Sequence, residues 1–206
     1  MKHDYRAVGN RCAVHIPSLG LPFGTRRALN LLARDGFKVL NIDMISLARD
    51  CMKKSTYRRG ARPSQAPKTV DCSSLVKWLY AQRGIWLPRR SIQQRELGTP
   101  ITSRTEIMAG DLVFVSGFID WYHTDPRDGV GHVGIATGYG TIIHAADRNS
   151  GVIESAYNTF VGESKLRGIR RYIPLNTDVL TLECPSHRSV EISDDIRWII
   201  LQMTRW

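Results

Sequence analysis

Three residues spread over the middle of the chain could together carry out nucleophilic chemistry: Cys72, His132 and His144. A thiol attacks a carbonyl carbon once a base takes its proton, and an imidazole held in place by a second polar group is such a base. Cys72 sits in Val70-Asp71-Cys72-Ser73-Ser74-Leu75, directly after a residue type that caps helices. Leu75, Val76, Leu79 and Tyr80 then recur at helical spacing and Gly84 supplies a stop, so the pattern predicts a helix beginning at the cysteine. Unpaired backbone N–H groups and the positive end of the helix dipole in that first turn favour thiolate over thiol. Taken alone, Cys72 reads as a small buried apolar residue, as most lone cysteines do, and the second stretch is what turns the reading toward chemistry.

The histidines belong to a second stretch, His132-Val-Gly-Ile-Ala-Thr137, Gly138-Tyr-Gly140, Thr141-Ile-Ile-His-Ala145. Two apolar runs around a Gly-containing connection predict a β-hairpin. With a loop of Gly138 to Gly140, Thr137 faces Thr141 and Gly134 faces His144. His132 is then diagonal to His144 on the same face, within reach of its ring. A loop of two or four residues would put the two rings on opposite faces. In the arrangement expected, His132 takes the proton from Cys72 and returns it to the leaving amine, while His144 fixes the tautomer and angle of His132.

Five segments carry a family resemblance. Asp71-Cys72-Ser73-Ser74-Leu75, Leu87-Pro88-Arg89, Ala109-Gly110-Asp111-Leu112-Val113-Phe114, His132-Val133-Gly134-Ile135 and Ile143-His144-Ala145 resemble, in order, the successive motifs of the NlpC/P60 cysteine peptidases. The resemblance spans about residues 43 to 173. It implies an α+β, papain-like core in which a cysteine-bearing helix packs on an antiparallel sheet carrying the histidines. It also implies hydrolysis of an amide in peptidoglycan-type peptides, such as the γ-D-glutamyl-diamino acid bond. By the same resemblance, Tyr57 lines the site ahead of the nucleophile, and Asp71, Ser73 and Arg89 hold substrate. Ser74 stands where the family usually has Gly, and Arg59 precedes Gly60 where a Gly pair is common. No cofactor or metal is called for. The order cysteine, histidine, histidine favours hydrolysis over acyl transfer by the same triad, and an inactive peptide-binding module is the alternative from another class.

The flanks complete the reading. A chain of 206 residues with 42% hydrophobic and 23% charged content can build a substantial core. Its domains are expected as an N-terminal extension over 1–42, a catalytic domain over 43–175 and a C-terminal extension over 176–206 ending in a helix packed on the core. Thr25 is expected to cap a helix reaching Gly36, Asn41 or Asp43 a helix with Cys51 on its apolar face, and Ser193 the terminal helix. Ser55 to Lys68 reads as a loop, Leu112 to Val115, Val152-Ile153 and Arg171-Tyr172-Ile173 as strands. Ser116 to Gly131, with Trp121 and Tyr122, could overhang a cleft or only anchor a surface loop.

The four cysteines do not form a disulfide framework, although Cys12-Ala-Val-His15 and Cys184-Pro-Ser-His187 leave open a structural zinc site. A net charge of +10 draws anionic partners, and carboxylate-rich peptides qualify. No nucleic-acid motif is present, so no nucleic-acid partner is expected, and most basic residues, Arg167, Arg170 and Arg171 among them, read as solvated faces. No apolar run approaches a membrane span and no export signal is recognisable, which points to a cytoplasmic protein or one exported by a non-classical route. Nothing in the sequence speaks to oligomeric state.

Overall fold

The structure, a computed structural model, describes residues 4–204; Met1, Lys2 and His3, where the reading for an export signal begins, lie outside the described residues, as do Arg205 and Trp206. In chain order the elements begin with β1 (Arg11–Val14), α1 (Thr25–Arg34), β2 (Lys38–Leu40), α2 (Met44–Lys54), β3 (Thr56–Tyr57) and β4 (Thr69–Val70). Next come α3 (Cys72–Gln82), α4 (Ser91–Arg95), β5 (Thr99–Pro100), β6 (Leu112–Val115), β7 (His132–Ala136) and β8 (Thr141–Asp147). β9 (Gly151–Ala156), α5 (Tyr157–Val161), β10 (Leu166–Arg171), β11 (Leu180–Glu183) and α6 (Ser193–Met203) complete the chain. Contacts divide it into two units. The larger holds Asp43–Leu79 and Leu87–Pro174, and the smaller holds residues 4–42, Tyr80–Trp86 and 175–204.

The larger unit is built on a six-stranded sheet in the order β5-β10-β6-β7-β8-β9, antiparallel at every pairing. β6 and β7 are almost wholly apolar and buried, which is what the middle strands of a covered sheet require. Val113, Val115, Ala136, Ile142, Tyr157, Phe160, Val161 and Ile169 form one core cluster that brings α5 onto the sheet. Arg171, expected on a solvated face, is instead buried. Its Nε and Nη2 donate to the two Asp111 carboxylate oxygens at 2.9 and 2.6 Å, so β10 is tied to the start of β6 by a bidentate pair. That strand ends at Arg171, short of the expected Tyr172 and Ile173.

Asp43 caps α2 as anticipated, accepting from Ile45 and Ser46, and Cys51 is in the core. The stretch expected as a loop after it is closed at its ends by a parallel pair, Thr56 opposite Thr69 and Tyr57 opposite Val70. Polar composition and two prolines hid that pair, because two-residue strands leave no periodicity to read.

In the smaller unit the two terminal segments share one antiparallel sheet, β1-β11-β2, with Cys12 opposite Leu182 and Leu182 opposite Val39. Cys12, Leu32, Phe37, Leu182, Ile196 and Ile200 are in its core, which places α1 and α6 over that sheet. Two caps differ from expectation. Gly24, not Thr25, is the residue before α1, and Ser193 is the first residue of α6, its hydroxyl accepting from Tyr5 N–H at 3.1 Å while Asp195 accepts from Glu191 and Ile192. The glycine stop after α3 is real. The N–H groups of Gly84 and Ile85 bond the carbonyls of Ala81 and Tyr80 at 3.0 and 2.9 Å, with Gly84 at φ +71. A Cβ there would lie 2.6 Å from the Cys12 carbonyl carbon. Gly84→Ala is therefore expected to lower stability by about 2–4 kcal/mol, combining the left-handed penalty with the backbone collision, as read by denaturant unfolding.

Candidate active site

The start of α3 is fixed by a reciprocal cap. Asp71 Oδ1 accepts the Ser74 N–H at 2.8 Å, and Ser74 Oγ accepts the Asp71 N–H at 2.8 Å. The departure from Gly at position 74 thus has a structural use: the serine returns a bond that glycine cannot make. Asp71 Oδ2 accepts from the Gly60 N–H at 3.0 Å and from Arg89, whose guanidinium also donates to Ser73 Oγ and the Ala61 carbonyl, both at 2.7 Å. Asp71, Ser73 and Arg89 therefore hold one another and the cysteine turn before any substrate arrives.

Opposite that turn, β7 and β8 pair with Ile135 facing Ile143 and Ala136 facing Ile142, the register of the three-residue loop. Continued along the strands, it sets Gly134 against His144 and leaves His132 on the diagonal. His132 Nε2 lies 2.9 Å from His144 Nδ1, the rings edge to face at 5.0 Å. Gly134 makes this approach possible. A Cβ there would come within 3.1 Å of His144 Cβ and collide with Ile142. Phe160, from α5, covers both rings at 5.5 and 4.8 Å.

Cys72, His132 and His144 line one cavity of about 880 Å³, as do Tyr57, Asp71, Ser73 and Arg89. The backbone N–H groups of Val133 and Ser73 hydrogen-bond the Cys72 sulfur, which sets the sulfur beside the strand position that follows His132. The expectation of a resting thiolate is not met. Burial, and then the Asp71 carboxylate, push the Cys72 thiol up to about 11, outweighing those N–H groups and Arg89. His132 is held down to about 4 by burial and then by His144, and His144 to about 4 by burial. Thiol and imidazole are both neutral at rest, so the helix start sets the position of the sulfur more than its charge.

Further parts of the site escaped the sequence reading. Ser155, on β9, has its hydroxyl 3.0 Å from His144 Nε2, and Phe160 is the ring cover; only a β9 register, which a bulge between Ala145 and Asp147 alters, could have found Ser155. The Ser116 to Gly131 segment reaches the cavity, Gly117, Phe118, Ile119 and Trp121 lining it with Arg90, whose guanidinium lies 4.3 Å over the Trp121 ring. The two Cys-x-x-His pairs lie elsewhere. Cys12 and Cys184 are packed in the smaller unit's core, and His187 Nε2 is 3.5 Å from Asp35. Among the described residues no group of three or more His, Cys, Asp or Glu is placed to hold a metal.

A cysteine at a helix start and two hydrogen-bonded histidines on an antiparallel sheet thus line one cavity. Residues 54–171 match the NlpC/P60 family model. The chain belongs to the NlpC/P60 family, whose members are cysteine peptidases. It is 35% identical over 114 residues to a probable endopeptidase of Corynebacterium glutamicum, covering 55% of this chain and 47% of that protein. It is 36% identical over 114 residues to a gamma-DL-glutamyl hydrolase of Bacillus subtilis, covering 55% and 25%, and 31% identical over 133 residues to the peptidoglycan DL-endopeptidase CwlO of Bacillus licheniformis, covering 63% and 27%. The matches thus span about half the length of these relatives or less. Among solved structures, an NlpC/P60 family protein from Bacillus cereus superposes with a TM-score of 0.54 at 26% identity, covering 64% of this chain and 40% of that one. NlpC2 from Trichomonas vaginalis gives 0.51 at 27%, covering 63% and 44%.

Two expectations follow from the geometry. His132 and His144 protonate near 6.5 in the unfolded chain and near 4 in the folded one, so at these two sites the unfolded state binds protons first as pH falls. The pH-dependent cost of keeping them neutral is absent above 6.5, and stability is lost as pH drops from there toward 4. Thermal unfolding of His132→Gln followed between pH 7 and 4 is expected to fall less steeply than that of the native protein. Gly134→Ala should separate the imidazoles and cut turnover while the helix signal in circular dichroism persists.

Proposed function

We propose that the chain is a cysteine hydrolase that cleaves an amide bond in peptidoglycan-type peptides. The observation that carries this reading is the placement of the Cys72 sulfur, held by the Val133 N–H, in one cavity with the hydrogen-bonded His132–His144 pair. His132 has its Nε2 engaged by His144, which leaves Nδ1 for the thiol. As the sulfur attacks the carbonyl carbon, its proton passes to Nδ1, and the charge on the oxygen is met by backbone donors at the helix start, the Cys72 N–H among them. The amine leaves with the proton from His132, giving a thioester. Water then gives a proton to His132 and attacks the thioester, and the sulfur departs reprotonated.

Membership of a family of peptidoglycan hydrolases supports the substrate class. Relatives named a gamma-DL-glutamyl hydrolase and a peptidoglycan DL-endopeptidase support a bond between residues of opposite configuration, such as γ-D-glutamyl-diamino acid. The cavity's lining fits an anionic peptide, since Arg59, Arg90 and Lys165 face it with one exposed acid, Asp147. Tyr57 lines the wall ahead of the nucleophile, and Asp71, Ser73 and Arg89 act on substrate through the cysteine turn they brace. No described helix is long and apolar enough to cross a membrane.

Incubation with defined muropeptides, with products read by mass spectrometry, tests the reading. Cleavage at the γ-D-glutamyl bond that disappears in Cys72→Ala is expected; cleavage that survives Cys72→Ala refutes it. Trp121→Ala is expected to raise KM several-fold with kcat nearly unchanged, as a half-exposed ring at the cavity mouth should. An unchanged KM would mean that the Ser116 to Gly131 segment only anchors the surface.

A further inference from the structure

The hydrogen bonds of His144 do not end at His132. Its Nε2 lies 3.0 Å from Ser155 Oγ. Ser155 is two residues along β9 from Ile153, the residue directly opposite His144, so it too lies on the diagonal. The polar groups therefore run in a line across β7, β8 and β9, from His132 Nε2 to His144 Nδ1 at 2.9 Å and from His144 Nε2 to Ser155. Phe160 covers both rings and His144 is 8% exposed, which leaves little room for water to replace the hydroxyl.

A neutral imidazole carries one N–H, and its position is set by its partners. For His132 to accept a proton at Nδ1, its own must sit on Nε2 and point at His144 Nδ1. His144 must then carry its proton on Nε2 and needs an acceptor there. If Ser155 donated instead, His144 would hold its proton on Nδ1, His132 would hold its own on Nδ1, and no lone pair would face the thiol. Ser155 is half-buried and lines the cavity, so its hydroxyl proton can turn toward solvent while its oxygen accepts.

We propose that Ser155 is a positioning residue: by accepting the Nε2 proton of His144 it sets the tautomer of both imidazoles and leaves Nδ1 of His132 open to the thiol. This rests on His132 being the base, as under the function proposed above. Removing the acceptor strands a buried N–H and lets the reverse tautomer compete.

The test pairs nitrogen NMR of histidine-labelled protein with kinetics, for Ser155→Thr, which keeps the hydroxyl, and Ser155→Val, which has threonine's shape without it. In the native protein and Ser155→Thr both rings should be protonated at Nε2. In Ser155→Val a population protonated at Nδ1 should appear, with kcat down about tenfold, the loss expected for one hydrogen bond, and KM unchanged. An unchanged nitrogen pattern in Ser155→Val, or an equal loss of kcat in both variants, overturns the proposal. A native protein that cleaves no muropeptide overturns the function reading instead, and the nitrogen pattern still decides the role of Ser155.

Discussion

The bond between His132 and His144 is the constraint on which the rest of the site depends. Two imidazoles buried together are costly unless each nitrogen they turn inward finds a partner. The hairpin register meets that condition between the two rings. Gly138 to Gly140 sets the pairing, Gly134 supplies the space a side chain would fill, and Phe160 closes the rings off from water. A shift of one residue would send His144 to the far face of the sheet and leave His132 unsupported.

The same burial shapes the chemistry. Burial disfavours the charged forms of both thiol and imidazole, and Cys72 and His132 move apart in pKa, to about 11 and about 4. Charge separation is thereby delayed until a substrate carbonyl is present to receive the sulfur. Position is what the protein supplies beforehand, through the Asp71–Ser74 cap, the Arg89 brace and the Val133 N–H.

Much of this was legible in the chain because it is local. Asp71 before an apolar 3.6-residue pattern marks the helix of Cys72, and two glycines around Tyr139 fix the hairpin register on which the histidine diagonal rests. What escaped depends on distant pairings. Ser155 reaches His144 through a third strand whose register a bulge alters, and Arg171 finds Asp111 sixty residues away in sequence. The terminal segments, read as separate flanks, meet in one sheet through pairs such as Cys12 with Leu182, which no local pattern announces. The raised pKa of the thiol was missed for a related reason: the helix start is visible in sequence, whereas the burial that outweighs it is not.

A structure of the protein bearing a γ-D-glutamyl peptide electrophile would examine the central arrangement most directly. The account requires the covalent bond to form on Cys72 Sγ, with His132 Nδ1 about 3 Å from the leaving-group position and His144 still bonded to its Nε2. An electrophile captured by Cys51, or a His132 ring whose Nδ1 points away from the sulfur, would contradict it.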